Sequence, residues 1–499
     1  MQVFSEAVFP LLLRAIGSAL ALPLAYCAFT AVYNLYFHPL RNIPGPKLYA
    51  AFRLPYTLDF VNGDLVKTGV RLHEKYGEVV RVAPDELSFI CGETAWRDIY
   101  GFRGSRRGDE FGKDLIWYRP AANGVRSMIS ASREDHSRQR RAFGYAFSER
   151  ALREQEPLVQ QYVDQLLSRL QEKAGQVVDL VRYYNYTTFD IIGDLTFNEP
   201  FGCLKNDDYN AFVSGVFASV KAVSFRSALA YYKWFERLYF WLKPSGIQKG
   251  SVTFFDFTSD VVDRRLDAHI HRPDVISFIE RQPEGKSLSV PELKATCFTM
   301  LIAGSETTAT ALSGTTYLLL KNPQTMKRLS DEIRERFRSQ SEICFESTSK
   351  LPFLHAVINE GLRMYPPVPS GFPRRVPAGG SMISGYYAPG NTAVYVAQYP
   401  AYRSKRNFTE PNLFIPERWL GEDARFDSDN FDVFMPFSNG PRNCIGKNLA
   451  YAEMHVILAT VVFNFDLELV DLSSDWMDQK CFNLWDKPAL GVRITPSRI

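Results

Sequence analysis

The sequence predicts a mainly α-helical protein with small β-sheets, preceded by an N-terminal transmembrane helix. Residues 15–39 contain no charged side chain. Apolar positions recur at helical spacing through much of the chain up to about residue 360, most clearly near Glu149–Lys173 and Val252–His271. Beyond that point Gly and Pro become more frequent, and short β-like runs appear, such as Ala393-Val394-Tyr395-Val396. With 46% hydrophobic and 23% charged residues, the 499-residue chain is not disordered. A net charge of +3 gives no case for nucleic-acid binding. The cysteines at 27, 91, 203, 297, 344, 444 and 481 are scattered, with no Cys-x-x-Cys pair. Neither a zinc site nor a disulfide framework is indicated, and reduced thiols fit a body that faces the cytosol.

As a helix, residues 15–39 would be about 37 Å long, enough to cross a hydrocarbon core with some tilt. Pro23 would kink that helix, which membrane helices tolerate. A cleaved signal peptide fits less well. The run is long, little positive charge precedes it, and Tyr33, Tyr36 and Phe37 close it as an aromatic belt. Arg41, Lys47 and Arg53 follow the span, whereas Arg14 and Glu6 precede it. The positive-inside rule then leaves residues 1–14 on the lumenal side and the body in the cytosol. Ile43-Pro44-Gly45-Pro46 cannot continue a helix, so 40–46 reads as a stiff connector. No later linker or repeat divides the chain, so 47–499 reads as one large domain.

Val79–Val82 and Glu86–Ile90, joined by Pro84-Asp85, predict a short hairpin. His136 and Arg140 lie four apart and share one helix face within a basic run. Ser289 with Glu292 forms a capping box, with Pro291 in the first turn, and Asn322-Pro323 stops the helix about 45 Å on. This helix is apolar nearly all round and should be buried. Ala303-Gly304-Ser305-Glu306-Thr307-Thr308 is set into its middle. A buried acid and hydroxyls are unfavourable there, and such local conflict is expected at a functional site. Threonines bonding their own i−4 carbonyls are the plainer account, above all for Thr308.

Near the C-terminus comes Phe437-Ser438-Asn439-Gly440-Pro441-Arg442-Asn443-Cys444-Ile445-Gly446. Its two outer glycines allow tight turns and close approach to a flat ligand, and the nearby arginine favours thiolate over thiol. A thiolate there is a metal ligand or a nucleophile.

This stretch resembles the haem-binding loop of the cytochrome P450 family (Phe-x-x-Gly-x-Arg-x-Cys-x-Gly) at all five fixed positions. Glu360-Gly361-Leu362-Arg363 with Pro366-Pro367, Pro416-Glu417-Arg418-Trp419 and the mid-helix run extend the resemblance. Tyr184–Asp190 and Phe37–Leu40 are similar to phrases in membrane-bound fungal members that modify secondary metabolites. The resemblance implies the cytochrome P450 fold, with haem b bound through its iron by Cys444. Phe437 would shield the sulfur. His136, Arg140, Arg374 (with Arg375 adjacent) and Arg442 would hold the haem, whose approach Gly446, Ala303 and Gly304 would permit. Glu306 and Thr307 would supply protons for O–O cleavage. A buried Glu360–Arg363–Arg418 network would be structural.

The implied activity is an O2-dependent monooxygenation of a small molecule, and the aromatics Phe212, Phe217, Phe225, Phe372 and Phe482 in the stretches where the family contacts substrate suggest a bulky apolar one. No Gly-x-Gly-x-x-Gly follows a strand, so electrons would come from a separate NADPH–cytochrome P450 reductase in the endoplasmic reticulum membrane. Arg138 and Lys447 are candidates to face that donor. The alternatives are a haem-thiolate isomerase or dehydratase acting without O2, and a haem-binding sensor or carrier without turnover.

Overall fold

The structure is a computed structural model that describes residues 21–103, 110–209, 213, 215, 221, 224–242, 246–270, 272–281 and 288–497. Its first helix, α1, covers 21–32 and widens into a π-turn at Tyr33–Phe37. Among the described residues no helix is long and apolar enough to cross a membrane. The expected span 15–39 begins outside those residues, as do all of 1–14, Phe212 and Phe217. The connector after α1 is tied to the body. Asn34 Nδ2 donates to the Ala51 carbonyl at 2.8 Å, and the Arg81 N–H donates to the Pro44 carbonyl at 2.7 Å.

Helix α2 (Leu54–Val61) precedes the expected hairpin, whose strands β1 (Val79–Ala83) and β2 (Glu86–Phe89) pair antiparallel. After β3 (Gly112–Lys113), Ser132 caps α3 (Arg133–Gly144) by accepting from the Asp135 N–H at 3.1 Å. Ser148 caps α4 (Glu149–Glu172) in the same way, and Asp179 at the end of β4 (Val177–Asp179) caps α5 (Leu180–Phe197). These caps satisfy N–H groups that a helix leaves without a partner. Helix α6 (Lys233–Leu242) buries none of its side chains. Helix α7 (Gly246–Asp267) starts six residues before the expected Val252 and stops short of His271. The backbone turns left-handed at His269, with φ +48°.

Helix α8 (Val290–Lys321) matches the expected long helix and is buried along most of its length. The Glu292 carboxylate accepts from the Ser289 N–H at 3.0 Å and from its hydroxyl at 2.8 Å, which anchors the first turn. Helix α8 packs most extensively on α5, where the Tyr184 and Thr316 hydroxyls meet at 2.9 Å. It also crosses α9 (Pro352–Met364). A Cβ on Gly361 of α9 would come within 2.0 Å of the Thr315 hydroxyl, so this crossing needs glycine.

Strands β5 (Arg374–Arg375), β6 (Ser381–Ile383), β7 (Tyr386–Ala388) and β8 (Ala393–Val396) follow. The expected strand at 393–396 joins a five-stranded sheet of order β1-β2-β8-β5-β3. Helix α10 (Lys447–Asn464) leads into β9 (Phe465–Leu469), the small hairpin of β10 (Cys481–Phe482) and β11 (Leu484–Trp485), and β12 (Gly491–Pro496). One apolar core surrounds α8 and a second backs the five-stranded sheet.

The Glu360 network is buried completely. Arg363 donates to both Glu360 oxygens at 2.8 Å, Arg418 Nε to Oε1 at 3.1 Å and Trp419 Nε1 to Oε2 at 2.9 Å. Burial pushes the Glu360 carboxyl up, but the guanidiniums of Arg363 and Arg418 outweigh it and hold the group below its ordinary value. Arg363 also donates to the carbonyls of Tyr402 and Pro411, fastening α9 to the irregular stretch before the cysteine loop. Asn185 and Asn407 head Asn-x-Thr sequons, but both are buried, which excludes their glycosylation in the folded chain.

Two outcomes follow from these buried groups. Glu360→Ala strands two guanidiniums and should cost about 3–5 kcal/mol in urea unfolding; a loss under about 1 kcal/mol would show that the network is dispensable. Burial holds His73 neutral, lowering it to about 4. Its native value lies below its unfolded one, so its contribution is complete above about pH 6.5 and fades as pH falls towards 4. His73→Gln should flatten the acid limb of a stability–pH curve over that interval, and an unchanged limb would refute the assignment.

Candidate functional site

The cysteine loop closes on itself before α10 begins. The Cys444 N–H donates to the Phe437 carbonyl at 2.8 Å, and the Phe437 ring lies 5.0 Å from that of Tyr451 on α10. Gly440 has φ +75°, and a Cβ there would stand 1.9 Å from the Tyr100 carbonyl oxygen. The expectation that both outer glycines supply turning freedom holds only for Gly440. Gly446 has φ −87°, open to any residue. The contribution of Gly446 is electrostatic, because its N–H is directed at the Cys444 sulfur.

Cys444 is accessible although it lies deep in the protein, so its sulfur lines an interior space. Burial pushes its thiol up, against the pull of the Gly446 N–H, Arg140 and Lys447. The expected effect of Arg442 on the sulfur is therefore corrected. Its guanidinium points away, donating to Glu110 Oε1 at 2.6 Å and to the Ala131 carbonyl at 3.0 Å. Arg140 takes that place, holding the loop through the Asn443 carbonyl at 2.6 Å and Asn443 Oδ1 at 2.5 Å.

His136 from α3, Lys113 from β3, Arg374 from β5 and Arg442 from the loop converge. Burial and the charges of Arg442, Arg140, Lys113 and Arg374 lower His136 to about 3. Burial, Arg374 and Arg442 hold the Lys113 ammonium well below its ordinary value. Glu110 is the carboxylate among them, 2.6 Å from Arg442 and 3.7 Å from Arg374. Arg374 Nε is buried without a hydrogen-bond partner among the described residues. Arg375 turns to the opposite face of the strand, 3.2 Å from Asp85 and 3.0 Å from Asp114. Buried positive charge in such excess calls for an anion. The paired carboxylates of haem, beside an accessible sulfur, fit this donor set.

On α8, Ala303 is exposed although Leu301 and Ser305 beside it are fully buried, so the helix opens to an interior space here. Gly304 serves packing against α5, since a Cβ would lie 2.8 Å from Ile192 Cδ1. The Thr307 hydroxyl is accessible and donates to the Ala303 carbonyl at 2.6 Å. That leaves its oxygen free to accept. The i−4 bond weighed for Thr308 thus belongs to Thr307, whereas the Thr308 hydroxyl meets the Glu453 carboxyl of α10. Burial pushes that carboxyl up to about 8. Glu306 is buried and ion-paired with Lys487.

Sequence reasoning missed Glu110, Lys113, Glu453 and Lys487. None stands in a recognisable spacing, and a lone charge in an apolar surrounding was the one available signal. Arg138, an expected docking residue, is partly exposed and ion-paired with Glu292 and Asp135. Phe225 rests on Tyr239 at 5.7 Å and Phe372 joins the sheet core. Phe298 of α8, half-buried, meets Phe254 and Phe255 of α7 at 4.9 and 5.7 Å.

Comparison with known proteins agrees with this geometry. The family model described as Cytochrome P450 matches residues 46–489. The chain is 44% identical to the cytochrome P450 monooxygenase lcsI of Purpureocillium lilacinum, covering 100% of this chain and 97% of that protein. It is 45% identical to the cytochrome P450 monooxygenase traB of Penicillium crustosum, over 96% of each chain. Identity is 43% to the cytochrome P450 monooxygenase efuB of Hormonema carpetanum, again over 96% of each.

The two faces of β5 give a direct check. Arg374→Gln should lower haem retained through gel filtration about tenfold, as expected for loss of a charge-assisted contact worth about 1.5–3 kcal/mol. Arg375→Gln should retain haem as the unaltered protein does. Equal retention by both variants would contradict the placement.

Proposed function

The chain belongs to the cytochrome P450 family, and from that premise we propose that it inserts one oxygen atom from O2 into a bulky apolar small molecule in fungal secondary metabolism. It is an enzyme, a monooxygenase. An isomerase or dehydratase is not favoured, since the similar proteins carry the monooxygenase name. The observations that carry the reading are the accessible Cys444 sulfur and, in the middle of the otherwise buried helix α8, the accessible Ala303 and Thr307 hydroxyl.

The residues divide the work. Cys444 would hold the iron of haem b, with His136, Lys113, Arg374 and Arg442 on its carboxylates. When bound, haem supplies O2 binding, stepwise reduction and transfer of one oxygen atom. Thr307 commits its proton to the Ala303 carbonyl, so its oxygen can order a water through an accepted bond. Glu306 is the nearest acid in sequence to that hydroxyl and is suited to resupply protons. Phe298, Ile302 and Ala303 give α8 an apolar inner surface that suits an apolar substrate.

Electrons would come from a separate NADPH–cytochrome P450 reductase, and the anchor would lie in the endoplasmic reticulum membrane with the body cytosolic. Exposed Leu22, Leu24 and Phe29 on α1 support membrane contact, as do exposed Trp234, Phe235 and Trp241 on α6. The Thr57 and Tyr232 hydroxyls meet at 3.3 Å, which brings the start of α6 beside α2.

Incubating membranes that contain the enzyme and its reductase with apolar pathway intermediates under 18O2, with mass spectrometry of products, tests the proposal. One labelled oxygen per product is expected; unlabelled or NADPH-independent product would refute it. Thr307→Ala should cut product per NADPH by about tenfold or more and raise hydrogen peroxide release. Unchanged coupling would remove Thr307 from proton supply.

A further inference from the structure

Lys487 lies in the C-terminal segment just after β11, outside every motif, yet its side chain is only 3% exposed. Its ammonium reaches into α8. It pairs with Glu306 Oε1 and donates to the Thr310 hydroxyl at 2.6 Å, and Thr310 lies 3.5 Å from the same carboxylate oxygen. Glu306 and Thr310 are four apart and share one face of α8. Thr307 lies about 100° round the helix from Glu306, on the accessible side. The other carboxylate oxygen, Oε2, is buried without a hydrogen-bond partner among the described residues. One oxygen is fastened and the other is bare.

The backbone that carries Lys487 is pinned on both sides. Trp485 Nε1 donates to the Pro366 carbonyl at 2.8 Å, and its ring stacks on Tyr365 at 5.0 Å. Three residues beyond Lys487, the Leu490 N–H donates to Asp179 Oδ1 at 2.9 Å. Glu306 itself sits on a rigid buried helix, so the freedom in this pair lies in the two side chains. A buried ion pair broken on one side leaves an uncompensated charge, so the pair holds the carboxylate firmly.

We propose that Lys487 is a positioning residue, whose ammonium keeps the Glu306 carboxylate on the Thr310 face of α8 and so controls when Glu306 serves Thr307. This rests on the monooxygenase reading above. With the backbone pinned on both sides, rotation of the two side chains is what would release the carboxylate towards the accessible face. Without the lysine, Glu306 loses its fixed direction, and proton supply and oxygen transfer fall out of step.

The test has two arms. In thermal unfolding of the full chain, Lys487→Met and Glu306→Gln should each lower the melting temperature, and the double variant should fall by less than the sum of the two. Additive shifts would overturn the proposal alone, because this arm requires no turnover. In turnover with the reductase, Lys487→Met should raise the hydrogen peroxide-to-product ratio about tenfold, with substrate-induced spectral shifts changed less than twofold. Lys487→Arg should restore the ratio. Lys487→Gln, which keeps a hydrogen bond without the charge and guards against a Met variant that fails to fold, should behave like Met. A wild-type ratio in the Gln variant, or failure of Arg to rescue, would overturn the role. Melting-temperature coupling in a wild-type chain that forms no oxygenated product would overturn the monooxygenase reading and the positioning role with it.

Discussion

The account depends on a thiol that its own surroundings press towards the protonated form. Cys444 is deep in the protein, and burial outweighs the Gly446 N–H and the charges of Arg140 and Lys447. A thiolate there needs a further cation, and a metal ion is the strongest local charge a site can hold. The loop is built for that. Its N–H to carbonyl closure at Phe437, the tight Gly440 turn against Tyr100 and the Arg140 clamp on Asn443 fix the sulfur before any ligand arrives. Preorganisation of this kind spares the ligand the cost of ordering the loop.

The same logic runs through the positive cluster. His136, Lys113, Arg374 and Arg442 come from four separated segments, and burial holds the first two towards their neutral forms. An anion on these groups would relieve what Glu110 offsets only in part. The cluster and the sulfur therefore demand opposite charges, and one planar ligand with an iron centre and two carboxylates meets both demands. The Glu360–Arg363–Arg418 network supports this arrangement by pairing one buried carboxylate with two guanidiniums and tying α9 to the backbone before the loop.

What the sequence revealed divides along physical lines. The cysteine loop and the capped helix α8 were legible because their signals are local: caps, glycines and a sulfur within a few residues of each other. The choice between Arg374 and Arg375 was not, because neighbouring strand residues face opposite sides and only pairing with β3 and β8 fixes which faces inward. Lys113 and Lys487 were invisible, since the groups that give each its setting include Arg374 and Arg442 for the first and Glu306 and Thr310 for the second, all at least 177 residues away in sequence. The carbonyl bond four residues back, expected above all for Thr308, is made by Thr307, while Thr308 meets a carboxyl on α10 that no local signal announces, because packing makes that choice. Helix α7 ran past its expected start because periodicity marks faces more sharply than ends.

The reduced, carbon monoxide-bound absorption spectrum of the purified protein tests the central claim most directly, read beside that of Cys444→Ser. A sulfur-to-iron bond predicts the long-wavelength Soret band of thiolate-ligated haem in the natural protein and its loss in the serine variant. The same long-wavelength band in both proteins, or no Soret absorption in the natural one, would contradict it.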